Sequence, residues 1–161
     1  MKRAVLIEHV SIELKSSFEH FTGQFEKALG ILMPSALPAL EAAPASMGPY
    51  LNSTRHEVNL VIYNITSQED LTKKESNKKI KQYQVGNPEI MRRMTDDQTA
   101  AGLYIPIPLL VYETAQGNVM IEYDRPSSQC AQFNNAALLA DSLLLETKLL
   151  ALIKLADNGI D

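Results

Sequence analysis

The hydrophobic and polar positions of this chain alternate in some stretches and recur at helical spacing in others. Alternation is typical of strands, whereas apolar residues three and four positions apart indicate an amphipathic helix. Helical spacing appears after residue 16, after residue 87 and over the last part of the chain. Strands are predicted over residues 3–14, 57–65, 80–85, 109–113 and 119–123. This succession predicts a single domain, residues 1–161, of the α+β class.

The first helix has recognisable start and stop signals. Ser16 followed by Glu19 forms a capping box, in which the two side chains bind backbone amides of the first turn. Apolar residues then recur at helical spacing as far as Gly30, a residue suited to end a helix. A helix is therefore predicted over residues 17–29. Residues 31–54 hold four prolines and one charged residue, which predicts an irregular, partly packed excursion.

Prolines also mark the middle of the chain. In Gly86-Asn87-Pro88, Asn87 can cap a helix and proline suits the first helical position. Pro106 and Pro108 favour an extended chain, because proline disfavours helix in the residue before it and removes a backbone donor. We therefore expect a short helix after Asn87. The extended segment should lie at a sheet edge or before strand pairing begins.

Residues 109–113 and 119–123 form the clearest predicted hairpin, which turns at residues 115–118. We expect a loop with an even number of residues, because it gathers apolar side chains on one face. These side chains are Leu110, Tyr112, Val119, Ile121 and Tyr123. Glu113 and Glu122 then share the other face, where they suit either acid–base chemistry or simple exposure to solvent.

The last predicted element is a long helix over residues 135–157. It holds nine leucines, and its apolar residues occur nearly all round the helical wheel. Charged residues interrupt it, so a membrane span is not predicted. Such a helix must bury more than one side. One side can pack on the sheet, and another needs either the segment 31–54 or a second subunit.

An ordered set of short motifs runs through the second half of the chain. It comprises Tyr83-Gln84-Val85-Gly86-Asn87-Pro88, Ala101-Gly102-Leu103-Tyr104, Leu110-Val111-Tyr112-Glu113 and Tyr123-Asp124-Arg125-Pro126-Ser127-Ser128, with Met94 and Pro106 between them. In order and spacing this set, about residues 80–128, resembles the domain-of-unknown-function 302 family, with looser agreement at the first helix. The resemblance implies β-α-β-β units with helices packed on an antiparallel sheet, often in a dimer. It implies no established activity.

Composition narrows the classes of function. The formal net charge is −4, which gives no reason to expect a nucleic acid partner. Cys130 is the only cysteine, so an internal disulfide and a cysteine-based zinc cluster are excluded, and we interpret it as a buried or incidental thiol rather than a reactive one. The apolar run before Glu8 is too short for a secretory signal. These features predict a cytoplasmic protein with no membrane partner.

Few residues qualify as functional candidates. The three histidines, His9, His20 and His56, lie in unrelated elements without ligand spacing, so no metal and no cofactor is predicted. The lysine-rich residues 66–79 suit a phosphate-binding patch or, with their interleaved acids, the solvated loop that we favour. A helix N-terminus offers free amides to an anion. Tentative ligand-binding residues there and at the nearby strand end are Asn87, Tyr123, Asp124 and Arg125.

Two hypotheses follow for the function. The first is a non-enzymatic ligand-binding or interaction module that acts as a homodimer, joined by the apolar final helix, with a small-molecule or anionic ligand near those four residues. The second is an enzyme of unknown class that uses the Glu122 and Asp124 carboxylates as acid and base. The sequence contains no recognisable nucleophile–base pair, phosphate loop or metal cluster, which favours the first hypothesis.

Overall fold

Strands and helices follow one another largely in the predicted order. The computed structural model describes residues 2–31, 59–67 and 79–159. The strands are β1 His9–Leu14, β2 Gly30–Ile31, β3 Val61–Thr66, β4 Ile80–Gly86, β5 Ile107–Glu113 and β6 Val119–Asp124. The helices are α1 Phe18–Ala28, α2 Pro88–Asp97, α3 Pro126–Cys130 and α4 Ala136–Asn158, with 3-10 turns at Thr99–Leu103 and Ala131–Phe133. Most of the predicted excursion at 31–54 and of the lysine-rich stretch lies outside the described residues.

The strands within the described residues form one sheet in the order β1-β6-β5-β4-β3-β2. Along this order, each neighbouring pair from β1 through β6, β5 and β4 to β3 is antiparallel, whereas the two-residue β2 pairs in parallel with β3. The first strand therefore lies beside the last, with His9 opposite Asp124 and Ser11 opposite Glu122. The predicted α+β class with an antiparallel sheet is confirmed.

One face of the sheet carries the hydrophobic core, and α1 packs on it. Tyr83, Val111 and Ile121, on three adjacent strands, are fully buried. The rings of Phe21 and Phe25 stack with centroids 5.3 Å apart, and Phe25 meets the Tyr83 ring edge-on at 5.3 Å. Aromatic pairs in this geometry add to the stabilisation that comes from burial alone. The apolar stripe of α1 is thus fixed on the centre of the sheet.

The cap of the first helix is Ser17, not Ser16 as predicted. Ser17 Oγ accepts a hydrogen bond from the amide three residues on, at 3.3 Å. Ser16 instead donates from its amide and its hydroxyl to Asp157, near the end of α4, at 3.0 and 2.9 Å. Glu19 binds Lys79 at 3.0 Å. The predicted capping box is therefore wrong, because a partner distant in the sequence engages the first serine.

The second helix begins as predicted. Asn87 caps it, with Oδ1 accepting from the Ile90 amide at 2.9 Å, and Pro88 is its first residue. The sheet-edge alternative for Pro108 is wrong, because β5 lies between β4 and β6. The second predicted alternative, a proline placed before pairing begins, fits the side of β5 that faces β6. Pairing with β6 begins only at Leu110, so the backbone N–H that Pro108 lacks falls before the first β5–β6 pair.

The β5–β6 hairpin has an odd connection, so the predicted even loop is wrong. Residues 114–118 separate the strands, and the Thr114 amide donates to the Asn118 carbonyl at 2.8 Å. Three residues remain in the turn, of which Gly117 has a φ of +89°. Glycine adopts this left-handed conformation at little cost, and it is the residue that three-residue hairpin turns require there.

This odd connection reverses the predicted faces of the hairpin. Leu110 lies opposite Glu122, and Glu113 lies opposite Val119. Glu113 and Glu122 are therefore on opposite faces of the sheet. Leu109 and Val111 are buried while Leu110 and Tyr112 are partly exposed, so β5 is apolar on both faces and alternation could not identify the inner one.

The long final helix is confirmed as α4, within one residue of its predicted ends. Asn135 caps it, with Oδ1 accepting from the Leu138 amide at 3.0 Å. Its fully buried leucines are Leu138, Leu145, Leu149 and Leu152, and the helix contacts α1, α2 and α3. In the described part of the chain, no helix has both the length and the apolar character needed to cross a bilayer.

Candidate functional site

Polar side chains gather on the sheet face opposite the helices, which we call the open face. Side chains of alternate residues share a face, and the register places His9 and Ser11 of β1 beside Asp124 and Glu122 of β6. Tyr112 of β5 lies on the same face. We call these five residues the open-face cluster. No motif links them in the sequence, since they come from three strands and meet only because the first strand pairs with the last.

His9 lies between two carboxylates of β6. Its Nδ1 is 2.8 Å from Asp124 Oδ1, and its Nε2 is 3.5 Å from Glu122 Oε2. The hydrogen bond to Asp124, supported by the charges of both acids, raises the pKa of His9 above 6.5, although 56% of the side chain is exposed. The imidazolium form is therefore favoured, with each ring N–H directed to a carboxylate.

Glu122 is held in its ionised form by neighbouring donors. Its Oε1 accepts from the Tyr112 hydroxyl at 2.8 Å and from Ser11 Oγ at 3.1 Å. The Tyr112 hydrogen bond, followed by those from Ser11 and the charge of His9, lowers the pKa of Glu122 below 4.5. The Ser11 hydroxyl donates to Glu122 and not to the imidazole, so the cluster does not contain a serine–histidine nucleophile–base pair.

A hollow in the open face adjoins Glu122. Its volume is about 570 Å³. The residues that line it are Lys79, Ile80, Leu110, Tyr112, Glu113, Thr114, Ala115 and Glu122. Sites for small molecules combine apolar walls with a few polar groups and have volumes in this range. The hollow can cover an apolar group while it presents the Glu122 carboxylate to a cation or an N–H donor.

Glu113 is not paired with Glu122. It borders the hollow from the other side of the sheet, at the end of β5, where its carboxylate lies 3.2 Å from Lys79 Nζ. Glu19 of α1 lies 3.0 Å from the same ammonium group. Hydrogen bonds from Lys79 to Glu19 and then to Glu113 raise the pKa of Lys79 above 10.5. These three residues form a surface ion-pair network, and the predicted shared face of the two carboxylates is wrong.

Asn87, the first predicted ligand residue, is occupied by folding contacts. It is 5% exposed, and its Nδ2 donates to the Asn59 carbonyl at 2.6 Å while its Oδ1 caps α2. Asn87 lies at the same end of the sheet as Asp124, because β4 and β6 run in the same direction with β5 between them. Two strand spacings, roughly 10 Å, separate their strands. Among the described contacts, none joins Asn87 to the other three predicted residues.

The other three predicted residues are consecutive but point to different surroundings. Arg125 Nε and Nη2 donate to Glu146 Oε2 of α4 at 3.2 and 3.0 Å, and the Ser127 amide donates to Glu146 Oε1 at 2.6 Å. Tyr123 is buried on the core side, where burial raises the pKa of its hydroxyl. Only Asp124 of the four predicted residues belongs to the open-face cluster. Sequence reasoning missed the roles of His9, Ser11 and Tyr112.

In the part of the chain that the structure describes, the remaining reactive side chains form no second centre. Cys130 is buried, as predicted, and burial raises the pKa of its thiol. His20 is exposed on α1, and His56 lies outside the described residues. Within residues 2–31, 59–67 and 79–159, no three histidine, cysteine, aspartate or glutamate side chains are arranged to bind a metal ion.

The outer side of α4 carries partly exposed leucines. These are Leu139, Leu143, Leu144 and Leu150, between 37% and 44% exposed. Each is more than half buried, and single leucines with this exposure are common on monomeric proteins. The prediction that this helix joins two subunits stays a prediction.

Comparisons with known proteins give a family and a fold. A family model described as domain of unknown function DUF302 matches residues 57–155. Among solved structures, the crystal structure of an uncharacterized conserved DUF302 protein from Bacillus stearothermophilus aligns with a TM-score of 0.62 at 17% identity, over 91% of this chain and 95% of that chain. At this identity the likeness shows the fold alone. No curated protein matches the chain. The predicted resemblance is thereby confirmed, over a longer segment than its motifs cover.

Proposed function

This chain belongs to the DUF302 family, whose description names no activity, and we propose that it is a non-enzymatic ligand-binding module that acts as a homodimer. Its ligand site is the hollow of the open face together with Glu122. The single observation that carries the proposal is the position of this ionised carboxylate beside a hollow of about 570 Å³ with Ile80, Leu110 and Ala115 in its walls. The ligand class that fits is a small molecule with an apolar part and a cationic nitrogen.

Charge and shape support this ligand class. Glu122 Oε1 is engaged by Tyr112 and Ser11, whereas Oε2 faces His9 at 3.5 Å, longer than an ordinary hydrogen bond. A ligand ammonium or N–H group can therefore displace His9 from Oε2 without breaking the two short bonds. Leu110 and Ile80 offer the aliphatic surface that an apolar group covers. An anionic ligand fits poorly, because Lys79, the cation that lines the hollow, is already paired with Glu19 and Glu113.

The non-enzymatic part of the proposal rests on how His9 and Ser11 are oriented. Both ring nitrogens of His9 face carboxylates, and the Ser11 hydroxyl is directed to Glu122. A general base must reach the proton it abstracts, and a nucleophile must reach its base. Neither condition is met by these residues, so binding without turnover is the simpler function of the cluster.

Calorimetric titration with phenethylamine, an aromatic ring on a primary amine, tests the ligand site. We expect the wild type to bind it and Glu122→Gln to raise the Kd by a factor of about ten, equivalent to the loss of one charged hydrogen bond. Glu89→Gln, on the exposed side of α2, is the matched control and should leave the Kd unchanged. Equal affinity of the wild type and Glu122→Gln, or equal affinity for neutral 2-phenylethanol, would rule out this site.

Acid–base catalysis is a second candidate, favoured by the contact of His9 with both Asp124 and Glu122. Histidine is the side chain whose ordinary pKa allows proton exchange at physiological pH, and the hydrogen bond to Asp124 raises the pKa of His9. A screen with generic ester, phosphate-monoester and glycoside substrates separates the candidates. A wild-type rate that His9→Asn abolishes would support catalysis, and the absence of such a rate leaves the binding function.

A further inference from the structure

The outer edge of β1 presents a row of backbone groups. The Arg125 amide donates to the Glu8 carbonyl at 2.9 Å, so residue 8 directs its backbone towards β6. Backbone direction alternates along an antiparallel strand, and β1 pairs with β6 in continuous register. Val10, Ile12 and Leu14 therefore also face β6. The N–H and C=O groups of the intervening residues, His9, Ser11 and Glu13, point outward from the sheet.

This edge lacks most of the features that commonly block strand addition. Edge strands are usually protected by proline, charged side chains (lysine above all), a bulge or a short length, and of these β1 has only the charges of His9 and Glu13. β1 has six residues without proline or lysine, and its six pairs with β6 show no bulge. No strand among the described residues lies on its outer side. Just before it, Leu6 and Ile7 are 89% and 42% exposed, which adds apolar surface beside the edge.

The sequence of β1 is complementary to itself in one antiparallel register. If Ser11 lies opposite Ser11 of a second copy, His9 lies opposite Glu13 of that copy, and Val10 lies opposite Ile12. All three outward-pointing residues then form hydrogen-bonded pairs, which no other register achieves. The charged side chains meet with opposite sign, an arrangement that stabilises cross-strand pairs, and apolar side chains meet on the other face.

We propose that a second copy of this chain adds its β1 to this edge, antiparallel and centred on Ser11, so that the two sheets become continuous across a two-fold axis. The inference rests on the homodimer stated above and names its interface. Each contact between the two copies then occurs twice, with the roles of the copies exchanged, as a two-fold interface requires. Backbone pairing of this kind is an established mode of protein recognition.

The pairing also extends the open-face cluster. It brings Glu13 of the second copy beside His9, which already lies between Asp124 and Glu122. Three carboxylates then surround each imidazole, one of them from the second copy. The two open faces meet along β1, so the two ligand hollows lie on one continuous surface.

Single cysteine substitutions test this register directly. Residues in a hydrogen-bonded pair have Cα atoms about 5.5 Å apart, within the range that a disulfide spans. Ser11→Cys should therefore form a disulfide-linked dimer under mild oxidation, seen on a non-reducing gel. Glu13→Cys is the matched control: two such residues are offset by four positions, roughly 14 Å along the strand, and should not cross-link. Cys130 is buried, and the wild type measures how much cross-linking arises from Cys130 alone.

A mixture of His9→Cys and Glu13→Cys proteins should cross-link, although neither does so alone. Light scattering of the full chain should report a dimer that Ser11→Pro weakens at least tenfold in Kd, since proline removes an outward donor at the centre of the pairing; circular dichroism checks that this variant is folded. Leu143→Lys, on the outer side of α4, should remain dimeric.

The outcomes separate the interface from the homodimer itself. A wild-type dimer in which Ser11→Cys fails to cross-link, or which Leu143→Lys converts to a monomer, overturns the β1 register and leaves the homodimer proposal standing. A wild type that is monomeric at all concentrations overturns both. Cross-linking of Ser11→Cys without cross-linking of Glu13→Cys supports the register. Phenethylamine titration is independent of each of these measurements.

Discussion

Arg125 and Glu146 are joined by two hydrogen bonds to a single carboxylate oxygen, at 3.2 and 3.0 Å. The Glu146 side chain is 11% exposed, and its other oxygen accepts from the Ser127 amide. One buried carboxylate on α4 thus fixes both the exit of β6 and the start of α3. The fourth motif of the family resemblance, which contains Arg125 and Ser127, is explained largely by this contact.

Replacement of Glu146 by alanine should destabilise the protein by about 2 kcal/mol, because it leaves the buried Ser127 amide without its acceptor and Arg125 with Glu8 as its remaining carboxylate partner. The loss is smaller than for a fully buried pair, since Arg125 is 35% exposed. Urea unfolding followed by circular dichroism measures it. Glu89→Ala, at an exposed carboxylate of α2, should change the free energy of unfolding by less than about 0.5 kcal/mol. Equal losses in the two variants would contradict this role of Glu146.

Asn87→Ala should cost more stability than Asn135→Ala, although both residues cap helices. Loss of a cap alone costs about 1 kcal/mol, the expectation for Asn135. Asn87 also donates to the Asn59 carbonyl at 2.6 Å, so the loss of stability in Asn87→Ala should reach about 2 kcal/mol. The free energies of unfolding of the two variants provide the measurement. Similar losses would show that the contact with Asn59 adds nothing.

The stabilisation from His9 should depend on pH in a defined direction. The pKa of His9 is raised above 6.5 in the folded protein, so its contribution is fully present below 6.5 and is lost as the pH rises through the raised value. Glu122 has a pKa below 4.5, so its contribution is present above 4.5 and is lost as the pH falls through the lowered value. The difference in Tm between the wild type and His9→Asn should therefore be largest between pH 4.5 and pH 6.5, where both contributions are present.

Thermal unfolding across the acidic and neutral range checks this dependence. The same difference should shrink on the alkaline side of the raised His9 pKa and, through Glu122, at strongly acidic pH. His20→Asn, at an exposed histidine of α1, is the control for the loss of an imidazole without the two carboxylates. A Tm difference for His9→Asn that stays constant with pH would show that His9 acts without its charge.

Cys130 should react with thiol reagents only when the protein opens. Burial raises the pKa of its thiol and blocks access, so labelling by iodoacetamide should be slower than for a free thiol by a factor on the order of a hundred or more. Adding urea should accelerate labelling in parallel with unfolding. The Glu89→Cys protein, altered on the exposed side of α2, provides an exposed thiol for comparison. Rapid labelling of native wild type at Cys130 would contradict the buried site.

Local signals predicted those parts of the fold that depend on neighbours in the sequence. Asn87 and Pro88 specify the start of α2 because a cap acts on amides three residues away. The serine that caps α1 was misassigned, since Ser16 is engaged by Asp157, 141 residues further along the chain. The sequence likewise did not reveal that the β5–β6 loop has an odd number of residues. That number depends on Gly117 and on which face of β5 is buried, and a strand that is apolar on both faces does not indicate its buried face.

The candidate site was less predictable than the fold, because strand pairing creates it. His9 and Asp124 are separated by 115 positions, and Ser11 and Glu122 by 111. The motif that contains Asp124 marks it as a candidate, whereas His9 lies in a predicted strand and no local signal indicates its partner. A pairing between the first and last strands would have linked them. Periodicity gives the faces of single strands but not the order of strands in a sheet.

The pairing of β1 with β6 also sets an order for the synthesis of the chain. Residues 9 to 14 are made before β6, and the strand that completes their hydrogen bonds follows more than a hundred positions later. Domains are completed only as their segments emerge from the ribosome. Until β6 emerges, β1 lacks the strand with which it pairs in the described sheet. The nascent chain holds this strand without β6 while more than a hundred positions are made, and neighbouring chains on one messenger RNA can then compete with β6 for it.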